Sequence, residues 1–220
     1  MKSLIGFISI VLFSVSTAYA DVTQEVAKLQ QGWAKANYSV EGKEQKKAFE
    51  TLIEQANVVV ESNPESVEAL IWRGIINSTF AGVKGGLGAM KYAKASKAGL
   101  EKAISMNGDA LSGSAYMSLG ILYYKVPGWP IGFGDKDKAL ELLDKALVLS
   151  PEGIDSNYFY ADFLVEQGKY KQAEQYLLKA QQAPARPGRP LADKGRQQEI
   201  AVLLAKVHEK SQTKEGNKPF

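Results

Sequence analysis

The chain carries a repeating pattern of small and large apolar residues in its second half. The order small, large, small occurs twice, 34 residues apart, at Ala139, Leu143, Ala146 and again at Ala173, Leu177, Ala180. Spacings of three and four residues bring the members of each group to one face of a helix. No segment alternates apolar and polar residues over a length that would predict a strand. The pattern therefore predicts an all-α fold made of repeated helices.

The spacing of 34 residues is the period of the tetratricopeptide repeat, a pair of helices that must stack on neighbouring pairs to bury its apolar face. The pattern predicts units that begin near Val67, Gly113 and Ile154. The first has about ten extra residues around a glycine cluster at 82–88, and the second has an insertion of about seven within 126–134. Upstream, residues 52–64 match a second helix, which pairs with a helix that starts near Val22. We expect a helical-hairpin solenoid of about three and a half units.

The C-terminal part of the chain departs from the repeat. Prolines between 184 and 190 end it, because proline cannot continue a helix. Residues 191–208 then predict an amphipathic capping helix, whose lysines and arginines are interpreted as a solvated face. The predicted organisation is a repeat domain over 21–183, a breaker and capping helix over 184–210, and a disordered tail over 211–220.

The N-terminal residues 1–20 have the three zones of a secretory signal peptide. Lys2 is followed by an apolar run over 4–13 and by the small-residue cleavage site Ala18-Tyr19-Ala20. The run is shorter than the roughly 20 residues that span a bilayer, so we expect no membrane span after cleavage. The chain has no cysteine, which excludes disulfides, thiol chemistry and a lipid anchor on cysteine. The predicted location is the bacterial periplasm.

Charge and reactive residues argue against two classes of function. Removing Lys2 takes the formal net charge from +3 to +2, which is too weak to predict nucleic-acid binding. His208 is the only histidine and is expected to be a solvated surface residue. Asp135 precedes a predicted helix and is expected to cap it rather than to bind a metal. The glycines of 82–88 lack the strand and the Gly-Lys-Ser/Thr sequence of a phosphate loop. We therefore predict no enzyme, no metal site and no cofactor.

Two places are candidates for binding. The loop that holds Trp129 and Phe133 combines aromatic residues with prolines and glycines, and it is either a plug on the core or a rim or lid over a cavity. The other is the concave face formed by the first helix of each unit. The predicted ligand- or partner-binding residues are Ile71, Ile75, Met117, Ile121, Tyr124, Trp129, Phe133, Tyr158 and Asp162. Part of this apolar set can equally be core. Only Lys125 suits a clamp for a peptide carboxylate, so such a clamp is not expected.

Two blocks of residues resemble a known family. One runs from Gly85-Gly86-Leu87 through Lys91-Tyr92-Ala93-Lys94 to Leu100-Glu101-Lys102-Ala103. The other runs from Leu119 to Tyr123 and through Pro127-Gly128-Trp129-Pro130 and Phe133-Gly134-Asp135 to Pro151. Over roughly 67–180 the chain is similar to the tetratricopeptide T component (TatT-like) of tripartite ATP-independent periplasmic (TRAP) transporters. The resemblance implies a periplasmic helical domain that associates with a solute-binding protein and has a cavity for an apolar ligand.

The predicted function is non-catalytic binding in the periplasm. The chain is expected to act as an accessory component that docks a solute-binding or transport partner and contacts a small apolar ligand. The alternative is a tetratricopeptide scaffold for cell-envelope protein assembly, with several protein clients and no small-molecule ligand.

Overall fold

The computed structural model describes residues 11–216, and within them the chain is helical, with no strand. The elements in chain order are α1 (Val11–Tyr38), α2 (Gly42–Ser62), α3 (Val67–Lys84), α4 (Gly86–Asn107), a short 3-10 turn (Ala110–Gly113), α5 (Ser114–Lys125), α6 (Lys136–Leu149), α7 (Ile154–Glu166), α8 (Tyr170–Gln182) and α9 (Pro190–Gly216). The predicted all-α fold is confirmed.

Consecutive helices pack as hairpins, α1 with α2, α3 with α4, α5 with α6 and α7 with α8, and α9 then covers the last pair. The recurring small and large residues lie inside these hairpins, and Ala139, Leu143, Ala146, Ala173, Leu177 and Ala180 are all buried. Small residues let the paired helices approach closely, while the leucines fill the space between them. The predicted solenoid of helical hairpins with a C-terminal capping helix is confirmed.

The extra residues of the second hairpin lengthen its helices instead of forming a loop. Helix α3 has 18 residues and α4 has 22, against 13 each in α7 and α8. Only Gly85 separates α3 from α4, and both Gly85 and Gly86 have positive φ angles, of 63° and 60°. Because other residues adopt this conformation at a cost, the glycines allow an abrupt reversal between two long helices.

The structure describes the two ends of the chain only in part. Residues 1–10 of the predicted signal peptide lie outside the described part, and residues 11–20 belong to α1. At the other end α9 continues to Gly216, into the segment predicted as a disordered tail, because no proline or glycine interrupts residues 209–215. Residues 217–220 lie outside the described part. Between residues 11 and 216 no helix combines the length and the apolar character that a membrane span requires.

The last helix of the chain returns to the first. Helix α9 packs against α7 and α8 and also against α1. At the contact with α1, a Cβ atom on Gly195 would overlap the ring of Tyr38, so glycine permits the close approach. The row of hairpins therefore closes on itself and surrounds a central space.

A close helix contact inside the second hairpin gives a first prediction. A Cβ atom on Gly74 would lie 2.7 Å from the Cδ2 atom of Leu100, whose side chain is fully buried. We expect Gly74→Ala to lower the free energy of unfolding by about 1–3 kcal/mol, because the overlap must be relieved in a packed core. Urea unfolding followed by circular dichroism measures this change.

The matched control is Gly82→Ala in the same helix. A Cβ atom there would have no heavy atom within 4 Å, so we expect stability to stay the same or to rise by up to about 1 kcal/mol. Equal effects of the two substitutions would contradict the proposed close packing at Gly74.

Candidate binding cavity

The closed row of hairpins surrounds a cavity of about 940 Å³. The first helices α1, α3, α5 and α7 all contribute to its wall, together with the start of α4, the α5–α6 loop, Arg189 and α9. The lining residues are Trp33, Asn37, Trp72, Ile75, Ser78, Thr79, Ala81, Gly82, Gly86, Ala89, Met90, Ala93, Ser114, Met117, Ser118, Ile121, Leu122, Lys125, Val126, Pro127, Ile131, Asp155, Tyr158, Phe159, Asp162, Arg189, Arg196 and Glu199. A volume of this size suits a small organic ligand.

The two departures from the repeat both build this cavity. The lengthened second hairpin supplies the start of α4, including Ala89 and Met90, and the insertion after α5 supplies Pro127 and Ile131. A stack of regular hairpins would lack the parts of the cavity wall that these residues form. The cavity is therefore a product of the insertions and of the closure by α9, added to the common repeat.

One end of the cavity is charged and tightly paired. Asp155 accepts a hydrogen bond from Nε of Arg196 at 2.8 Å and another from Arg186. Arg186 also donates from Nε to Asp193 at 2.6 Å, and Arg196 donates to Glu199. Burial alone would raise the pKa of Asp155, but the guanidinium groups of Arg196 and Arg186 outweigh it and hold the pKa well below its usual range. The cluster joins α7 to the breaker segment and to α9.

A second polar group lies on the side of α5 and α7. The hydroxyl of Tyr124 donates to Asp162 at 2.8 Å, and Nζ of Lys125 lies 2.8 Å from the same carboxylate and also pairs with Glu166. Burial acts to lower the pKa of Lys125, but its hydrogen bonds with Asp162 and Glu166 raise the pKa overall. These groups satisfy one another, so they fix α5 against α7.

The structure brings five of the predicted binding residues together at the cavity. They are Ile75, Met117, Ile121, Tyr158 and Asp162. Ile71 instead lies fully buried in the core, because α3 is packed against helices on several sides. Tyr124 is buried among Phe163 and its neighbours, and it reaches the cavity wall only through its hydrogen bond to Asp162.

The α5–α6 loop combines features of the plug and of the rim. Phe133 packs on the ring of Tyr123, with ring centroids 5.7 Å apart, which resembles a plug. Ile131 lines the cavity, which resembles a rim. Trp129 does neither, because 90% of it is exposed. The loop is held in place where the Gly134 N–H donates to the carbonyl of Pro127 at 2.9 Å.

Several residues that line the cavity were not among the predicted binding residues. Trp33 and Trp72 line the cavity from α1 and α3, and Arg189, Arg196 and Glu199 reach it from the C-terminal part. Arg196 is only 5% exposed, so the interpretation of the basic residues there as a solvated face does not hold for it. The burial of this arginine could not be recognised in a single sequence, because Asp155, which pairs with it, lies on a distant helix.

The residues that sequence analysis set aside as non-catalytic have ordinary structural roles. Asp135 caps α6 and accepts hydrogen bonds from the backbone N–H groups of Asp137 and Lys138, both at 3.0 Å, as predicted. His208 is exposed, but it has an unforeseen partner, because its Nε2 lies 2.8 Å from a carboxylate oxygen of Glu174. Among residues 11–216 no group of three or more histidine or acidic side chains is placed to hold a metal ion.

Comparisons with known proteins agree with this architecture. A family model described as Tetratricopeptide repeat matches residues 131–187, which include α6, α7 and α8. No curated protein matches the chain. A thermophilic tetratricopeptide-repeat protein from Thermus thermophilus superposes with a TM-score of 0.54 at 15% identity, over 74% of this chain and 78% of that one. MamA gives a TM-score of 0.45 at 20% identity, over 79% and 95% of the two chains. This chain therefore has the fold of a tetratricopeptide-repeat protein, and the repeat itself is recognised over residues 131–187.

Proposed function

We propose that this protein is a non-catalytic binding protein that holds a small, largely apolar molecule in its central cavity and acts as an accessory to a transport or solute-binding partner in the periplasm. The observation that carries the proposal is the cavity of about 940 Å³ walled by both insertions. Repeat proteins use such concave surfaces for binding rather than for catalysis.

The chemistry of the wall supports an apolar occupant. Ile75, Met90, Met117, Ile121 and Phe159 lie around the cavity. Methionine side chains are flexible and polarizable, so they adapt to ligands of varied shape. The charged groups of the two polar clusters are largely paired among themselves, which leaves the apolar part of the wall to contact an apolar body.

The proposed periplasmic location and the proposed transport partner are supported by different observations. The signal-peptide pattern of residues 1–20 supports export. The similarity of residues 67–180 to the TRAP T component supports a solute-binding protein as the partner.

A second candidate function is a scaffold that binds several envelope proteins and no small molecule. The exposure of Trp129 favours it, because an aromatic side chain that is 90% exposed at the tip of a braced loop is suited to a protein interface. Native mass spectrometry of the protein purified gently from periplasmic extract separates the two functions. A retained small apolar mass supports the ligand carrier, whereas a chain with no small mass supports the scaffold.

Ile121→Asp tests the cavity directly. We expect the affinity for the neutral fluorophore N-phenylnaphthylamine to fall about tenfold or more, because the aspartate places a charge in an apolar wall. Fluorescence titration measures the dissociation constant, and circular dichroism verifies that the helices remain.

The matched control is Val148→Asp on the exposed side of α6, which does not line the cavity. It introduces the same charge and is expected to leave the affinity unchanged. Unchanged binding in Ile121→Asp would remove the cavity from the proposed function.

A further inference from the structure

The charged cluster at the cavity contains an arginine that forms no ion pair with the neighbouring carboxylates. Asp155 is shared by Arg186 and Arg196, Asp193 is bound by Arg186, and Glu199 is bound by Arg196. Arg189 lines the same cavity, yet among the described residues it makes no ion pair or hydrogen bond with any of these carboxylates. Its Nε atom is buried and has no acceptor.

The surroundings of Arg189 leave its positive charge poorly compensated. Burial, followed by the neighbouring positive charge of Arg186, lowers its pKa, and the opposing effect of the carboxylates of Asp155 and Asp193 does not restore it. Its guanidinium carbon lies 5.2 Å from the centroid of the Trp72 ring, which gives a cation–π contact but no hydrogen-bond acceptor in the ring plane. Arg189 is half-buried and its Nε has no acceptor, so an anion bound there would gain a charge-assisted hydrogen bond.

Trp72 adds a second unsatisfied donor at the same place. It is only 3% exposed, and its indole Nε1–H has no acceptor. The other indole of the cavity differs, because Nε1 of Trp33 donates to the hydroxyl of Thr79 at 2.9 Å. Buried polar groups in proteins are nearly always paired, so two orphaned donors side by side indicate a missing acceptor.

A smaller hollow of about 310 Å³ adjoins the cavity here, and both spaces are lined by Trp72, Ser114, Met117, Asp155 and Arg189. The carboxylate of Asp155 is already bound by Arg186 and Arg196. There is therefore room beside Arg189 for a polar group of a ligand, while the larger space beyond Met117 accepts an apolar body. A polar site therefore adjoins an apolar space, which is the arrangement that an amphipathic ligand requires.

We propose that the natural occupant of the cavity is an amphipathic organic anion, whose carboxylate or phosphate headgroup binds Arg189 beside Trp72 and whose apolar chain lies against Met117 and Ile121. This inference rests on the proposed function of the cavity and names the class of its ligand. A neutral apolar molecule would leave the donors unpaired, and a cation would be repelled by Arg189. One unpaired arginine matches a single headgroup.

Three ligands with the same chain test the headgroup. Dodecanoate, dodecyl phosphate and the neutral dodecanamide are titrated by calorimetry into the purified protein, each below its aggregation concentration. We expect at least one anion to bind about ten- to hundredfold more tightly than the amide, as hydrogen bonds to a charged group predict. The stronger of the two anions identifies the headgroup as carboxylate or phosphate.

Variants assign the preference to Arg189. Arg189→Met is expected to reduce the affinity for the preferred anion to that for the amide, while amide binding is kept. Trp72→Phe keeps an aromatic ring but removes the indole N–H, and it is expected to weaken anion binding alone by a smaller factor. The matched control Arg73→Met removes an arginine of α3 that does not line the cavity, and the anion preference should remain.

The outcomes separate this inference from the proposed function. Equal affinity of the wild type for the amide and the anions would overturn the headgroup site and leave the cavity function standing. No binding of any of the three, together with no binding of the neutral fluorophore, would overturn both. An anion preference that survives Arg189→Met, or Arg189→Gln if the methionine variant does not fold, would overturn the assignment to Arg189.

Discussion

Ile200→Asp is expected to lower the free energy of unfolding by about 4 kcal/mol or more, the largest effect of any single substitution considered for this protein. Ile200 lies on α9, is fully buried, and packs in the apolar cluster that α9 forms with α7 and α8. An aspartate there would have to bury a charge without a partner or release the helix from the stack. Urea unfolding measures the loss, and limited proteolysis between residues 183 and 210 detects the release of α9.

Val202→Asp is the matched control on the same helix. Val202 is 72% exposed, so we expect a change within about 0.5 kcal/mol, as for surface substitutions elsewhere. If Ile200→Asp were no more destabilising than Val202→Asp, α9 would not be the cap that the structure shows.

Asp155→Asn is expected to lower the free energy of unfolding by about 3 kcal/mol at neutral pH. The substitution keeps the shape of the side chain but removes the carboxylate shared by Arg186 and Arg196, of which Arg196 is almost completely buried. Arg196 would retain Glu199 alone, and burial raises the pKa of that carboxyl group. Asp109→Asn, at an exposed position outside the cluster, is the control and should leave stability nearly unchanged.

The same residue predicts a pH dependence. The pKa of Asp155 in the folded protein lies below that of an unfolded aspartate, which is about 3.9. Its contribution to stability is therefore complete above about pH 5 and is lost as the pH falls toward the folded-state pKa. Unfolding free energies measured between neutral pH and acid pH should fall less steeply for Asp155→Asn than for the wild type. Parallel curves would show that the cluster does not stabilise the fold through Asp155.

The hairpins could be predicted from sequence because packing between paired helices restricts residue size. Ala139, Leu143 and their counterparts one period later, Ala173 and Leu177, are buried as that restriction requires. The positions of the insertions were also visible, since they interrupt the period. The structure of the first insertion could not be predicted, because Gly85 and Gly86 are equally suited to a loop. In the structure they join two lengthened helices.

The cavity was predictable only in part. Ile75 and Ile121 line it, as helix-one positions of a hairpin stack should. Ile71 has the same kind of sequence position, but its side chain is fully buried in the core, because α3 packs against several helices. Arg189 and Arg196 could not be assigned, because they reach the cavity only when α9 returns to α1. That return depends on the summed curvature of all the hairpins, which no local pattern encodes.

The contact between α9 and α1 also fixes how this protein can change in length. An open array of repeats can gain or lose a unit at little cost, because each unit touches only its neighbours. Here the first and last helices meet, and Gly195 packs closely against the ring of Tyr38. Duplicating or deleting one hairpin would separate these helices and open the cavity. Selection is therefore expected to act on the insertions and side chains of this protein, and to keep the number of its hairpins constant.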